Sequence, residues 1–218
     1  MNYIHKQKQL LSRRIHKYGR YLAKSLFTAK NIAVLVIFIT AGSFILVGMN
    51  NDKKDIYTTE LLNTIAKVES NSNYNAYFGN AANSEVIFTS MPVKDVLAWQ
   101  QNFVAQGNAS SAVGRYQFID STLRGLVTQL QIDQNAVFDE TLQDTLATAL
   151  LERRGLREYI DKQISREEFA HNLSKEWAAL PRVIGDDPQQ SYYAGDGLNK
   201  ARLSTDEMFS SIATLREM

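Results

Sequence analysis

Residues 31–49 read NIAVLVIFITAGSFILVGM, an uncharged apolar run about as long as the ~20 residues that a bilayer core requires. Nothing else in the chain limits its architecture so strongly. A buried core helix would carry a polar face, and this stretch offers only Thr40, Ser43 and two glycines. Eight Lys and Arg precede Met49, and no acidic residue occurs before Asp52. The positive-inside rule then predicts a single-pass protein whose N-terminus is cytoplasmic and whose remainder, after Asn50, is periplasmic. An internal virion membrane is the other setting. No small-x-small cleavage site follows the run, so an uncleaved signal anchor is expected, with the lipid bilayer as partner through residues 31–49. Residues 1–30 form a basic arm, either an amphipathic helix on anionic lipid or a solvated tail. The polar link 50–56 reaches only roughly 25 Å when fully extended, and residues 57–218 are left for one domain.

Beyond the arm the charge balance reverses, to 16 basic against 23 acidic residues. An acidic domain is a poor match for nucleic acid. With no cysteine, the chain has no disulfide, thiolate zinc site or cysteine nucleophile. Of three histidines, His5 and His16 fall in the arm. His171 alone makes neither a triad nor a metal site, so no metal or cofactor is expected and carboxylate chemistry is what remains.

The domain reads as mainly α-helical. Leu61, Leu62, Ile65, Ala66 and Val68 mark an amphipathic helix from about Thr58 that ends near Glu69, before the polar run Ser70 to Asn75. Glu85 to Ser90 (EVIFTS) has the β-branched and apolar character of a short strand, the one small β element expected. A helix should start at Pro92, and others should follow around Leu123 to Leu130 and Leu142 to Leu150, with Gly155 as a stop. Ser165 with Glu168 and Ser204 with Glu207 have the spacing of capping boxes and open two more. Trp99 and Trp177 fall within apolar patterns as core residues.

Three separated segments carry the functional signal: Glu69 at a helix end, Gly114-Arg115-Tyr116-Gln117, and Tyr192-Tyr193-Ala194-Gly195-Asp196-Gly197. Their order resembles that of the goose-type lysozyme and lytic transglycosylase superfamily, and most closely the phage lambda endolysin type. Glu176-Trp177-Ala178-Ala179-Leu180-Pro181 resembles that type's Trp-Ala-Ser-Leu-Pro segment. One departure lies directly after the acid, where Ser70-Asn71 stands in place of the usual Gly-Thr. The resemblance implies a lysozyme-like α+β domain with Glu69 as catalytic acid, and peptidoglycan glycan strands as substrate. It also implies substrate-binding roles for Tyr116, Gln117, Tyr192 and Tyr193, with Tyr192 approaching the acid, and turn roles for Gly114, Gly195 and Gly197.

Cleaving a glycosidic bond requires an acid that is still protonated near neutral pH, and burial among apolar groups can supply one. The resembled transglycosylases need no second carboxylate, because the muramyl hydroxyl attacks and leaves an anhydro end. Hydrolysis stays open through Glu85, Asp95 or Asp120, and so does a non-catalytic glycan-binding role in a virion, secretion or conjugation assembly.

Overall fold

The computed structural model describes residues 57–216. The arm 1–30, the apolar run 31–49 and the link 50–56 lie outside the described residues. Among those described, no helix is long and apolar enough to cross a membrane. That finding corrects the single-pass localisation and the transmembrane element of the expected fold, and neither is carried further.

Helix α1 covers residues 57–70 and buries Leu61, Leu62, Ile65 and Ala66, the stripe its spacing implies. It stops because Asn71 and Ser72 turn left-handed, at φ 55° and 63°. The Ser72 N–H then reaches back to the Ala66 carbonyl (3.0 Å) and satisfies part of the helix end. Helix α2 (Val93–Ala105) begins directly after Pro92, and α3 spans Asp120–Gln129. Helix α4 (Glu140–Arg153) starts where the Asp139 carboxylate accepts the Leu142 N–H. Gly155, at φ 100°, ends it and sets up the short α5 (Leu156–Ile160).

Helices α6 (Arg166–Ser174) and α7 (Thr205–Ala213) start at Ser165 and Ser204, whose hydroxyls accept the N–H groups of Glu168 and Glu207. Only the second is a full reciprocal box, because the Glu207 carboxylate also accepts the Ser204 N–H (2.9 Å). Each cap contributes about 1 kcal/mol. Helix α2 packs on α3, α6 on α7, and α5 touches both α4 and α6. Trp177 is buried, and Trp99 stacks on Phe103 while meeting Phe88 edge-on.

The described residues contain isolated bridges but no strand, so the expected β element is corrected too. Glu85 to Ser90 is instead a loop ending in a 3-10 turn, Phe88–Ser90. Asparagine side chains have taken the backbone groups that a partner strand would use. Asn83 Oδ1 accepts the N–H groups of Glu85 and Val86, its Nδ2 donates to the carbonyls of Val86 and Asn75, and Asn75 Oδ1 accepts the Thr89 N–H. Asn73 adds bonds to the carbonyls of Ala81 and Asn83. With its backbone satisfied locally, the segment has no call for a ladder.

Candidate active site

The last turn of α1 places Glu69 in a cleft of about 750 Å³. Loops 77–81 and 109–119, the end of α4, the segment 175–179 and the late loop 193–202 form its other walls. These walls differ in charge. Apart from Glu69, the charged residues lining the cleft all fall at or beyond Arg153: Arg153, Arg154, Lys175, Glu176, Asp196, Lys200 and Arg202.

Glu69 keeps some exposure toward the cleft, yet enough protein surrounds its carboxyl that desolvation raises its pKa to about 7. Two effects oppose that rise without cancelling it. The Ala179 N–H donates to Oε1 (2.9 Å), and the Arg202 cation favours the anion. An acid in this state is half protonated near neutral pH.

The Gly114 turn is built from behind. Gly114 has φ 78°, and a Cβ there would lie 2.5 Å from Gln143 Oε1 and 3.2 Å from the Phe138 ring, so glycine is required on both counts. Gln143, fully buried on α4, accepts the Arg115 N–H and donates to the carbonyls of Tyr74 and Phe138. Ser70, also buried, donates its hydroxyl to the Arg115 carbonyl (2.7 Å). The residue that departs from the Gly-Thr pattern thus ties the turn to the helix that carries Glu69.

Gln117 lines the cleft at φ 50°, with its side-chain Nε2 donating to the Gly114 carbonyl (2.9 Å). Tyr116 also lines the cleft, though only 1% exposed, and its hydroxyl donates into the protein, to Asp144 (2.7 Å). There it joins Tyr74 and Arg115, whose guanidinium reaches both hydroxyls and Asp144. Burial, followed by the bond to Asp144, pushes the Tyr74 phenol up to about 12 and raises Tyr116 as well. Both stay protonated donors.

In the late loop it is Tyr193 that lines the cleft, and its hydroxyl donates to the Lys175 carbonyl (2.7 Å). Tyr192 packs edge-on against His171 and Tyr193 instead. Gly195 and Gly197 lie in the exposed turn beyond, at φ 108° and 80°. Glu85 and Asp95 are exposed, and Asp120 pairs with Arg124 one turn along its own helix; none of the three lines the cleft. The second glutamate that does is Glu176, clamped by Arg153 and Arg154, each at 2.8 Å.

Sequence reasoning missed Ala179, Arg202, Ser70, Gln143 and Glu176. Gln143 had left a trace, since a glutamine three and seven residues before Leu146 and Leu150 stands on an apolar stripe. Ala179 contributes only a backbone N–H, which no side-chain pattern reveals.

A mainly helical domain with a proton-holding carboxyl inside a polar cleft is suited to cutting glycan. The chain belongs to the endolysin family, whose model matches residues 56–201, well over half of its length. It is therefore a phage-type, peptidoglycan-degrading lytic enzyme. No curated protein and no solved structure matched the chain.

Proposed function

We propose that this endolysin is a lytic transglycosylase that cleaves the MurNAc-GlcNAc bond with Glu69 as its one catalytic carboxyl. The observation that carries the reading is the inequality of the cleft's carboxylates. Glu69 is still half protonated near pH 7. Glu176 is held between two guanidinium groups, and Asp196 accepts the N–H groups of Leu198 and Asn199 in its own turn. A hydrolase of the usual kind needs a second carboxylate free to activate water or to attack. A transglycosylase takes its nucleophile from the substrate.

Glu69 then works twice. Because the Ala179 N–H occupies Oε1, the proton resides on Oε2. Oε2 gives it to the glycosidic oxygen as the bond to the muramyl anomeric carbon breaks. The resulting carboxylate takes a proton from the muramyl C6 hydroxyl as that oxygen closes on the anomeric carbon, leaving an anhydro end and regenerating the acid. Gln117, which lines the same cleft from the Gly114 turn, is the residue for the sugar acetamido group, and Tyr193 lines the cleft from the late loop.

The test is mass spectrometry of sacculi digested with the full chain. Anhydro-muropeptides are expected, and Glu69→Gln should release none. Reducing ends would assign hydrolysis, and unchanged release by the variant would remove Glu69 from the chemistry.

A further inference from the structure

Three hydrogen bonds close a circuit around Glu69. The Ala179 N–H donates to its Oε1 (2.9 Å), the Arg202 N–H donates to the Ala179 carbonyl (2.8 Å), and the Arg202 Nη1 donates to the carbonyl of Val68 (3.1 Å), the residue joined to Glu69. Arg202 therefore holds the acid from two sides: through the residue whose N–H touches the carboxyl and through the helix turn that bears it. It stands just beyond the segment matched by the family model.

Electrostatics gives the second half of the argument. Glu69 sits in the final turn of α1, where unpaired carbonyls place partial negative charge and disfavour a carboxylate. The Arg202 guanidinium lies on one of those carbonyls. The other charged groups lining the cleft are Arg153 at the end of α4 and Arg154 just after it, Lys175 and Glu176 just after α6, and Asp196 and Lys200 in the late loop. Arg153 and Arg154 are both paired with Glu176 at close range, and Asp196 is engaged in its own turn. Arg202 is the cation whose field reaches the carboxyl.

We infer that Arg202 is a positioning residue, fixing the Glu69 carboxyl by this circuit and setting its guanidinium on the helix end that bears the acid. The inference rests on Glu69 being the acid. It predicts that a charge-removing change at Arg202 makes Glu69 a weaker acid, more fully protonated at each pH.

The test is titration of the Glu69 carboxyl carbon by NMR in the full chain labelled at glutamate, with kcat/KM followed against pH on sacculi. Arg202→Ala and Arg202→Gln should move the midpoint up from about 7 by roughly 0.5–1 in pH. The alkaline limb of kcat/KM should move with it. Arg202→Lys should restore the midpoint while recovering only part of kcat, because its single ammonium lacks the guanidinium fork. The glutamine variant keeps a donor for the Val68 carbonyl, which preserves the test if the alanine variant loses its fold. A wild-type midpoint in folded Arg202→Ala and Arg202→Gln, even with reduced kcat, would mean a purely structural arginine and overturn the inference. A midpoint near 4.5 in the unmutated chain would instead overturn the acid reading of Glu69, and this inference with it.

Discussion

Two glutamates line the same cleft in opposite circumstances. Glu69 has one backbone N–H for a partner and protein around the rest of its carboxyl, whereas Glu176 is grasped by two guanidinium groups at 2.8 Å. Each is removed from bulk water, so what separates them is compensation. A carboxyl deprived of partners can keep a proton and give it away; one gripped by two cations holds the walls together. Arg154 shows the second role directly, since it bonds both Glu176 and the Lys175 carbonyl, the acceptor that Tyr193 also uses.

The comparison breaks most visibly at Glu69. Replacement by Gln removes the proton donor and should lower kcat on sacculi by roughly 10²–10⁴-fold. The same variant should reveal the cost of the buried acid. Between the ordinary 4.5 and the folded value of about 7, native Glu69 binds more proton than the unfolded chain does. Its contribution is therefore complete below the lower value and lost as pH rises through the upper one. Denaturant unfolding at pH 4.5 and pH 8 should show Glu69→Gln gaining roughly 3 kcal/mol on the wild type across that interval. A constant gap would mean that the carboxyl is as well solvated as an exposed one.

Gly114→Ala tests the scaffold beneath the lone acid. The added methyl meets Gln143 at 2.5 Å with the backbone at φ 78°, so thermal unfolding should show a loss of about 2–3 kcal/mol. Glu176→Gln sharpens the contrast from the other side. Freed of their shared anion, Arg153 and Arg154 should loosen segment 175–179, lowering kcat roughly 10-fold without removing activity. Loss as complete as that of Glu69→Gln would make Glu176 a participant and favour hydrolysis. Tyr116→Phe, which deletes a hydroxyl bonded to Asp144 and Arg115, should cost about 1–2 kcal/mol of stability and leave kcat within a few-fold.

Much of the helical frame was legible because it obeys local rules. The apolar stripe of α1, Pro92 before α2, and the serine caps of α6 and α7 each depend on neighbours within a turn or two. What escaped depended on partners remote in the chain. Glu85 to Ser90 has strand composition, but Asn75 and Asn83 reach its backbone first. Tyr116 reads as a loop aromatic until Asp144, on a helix 28 residues away, claims its hydroxyl. Tyr192 and Tyr193 are adjacent and chemically alike, and only the course of the loop decides which one turns to the cleft. Arg202 acts on a carbonyl 134 residues earlier, a separation at which periodicity carries no information.

The asparagine-bonded loop has one more effect, on how copies of the protein meet. Between residues 57 and 216 there is no strand, hence no row of unpaired ladder groups along an edge. Such rows are the usual template on which concentrated or partly heated chains add to one another. Amide side chains inside the loop already hold those groups, so that segment offers no open border for pairing.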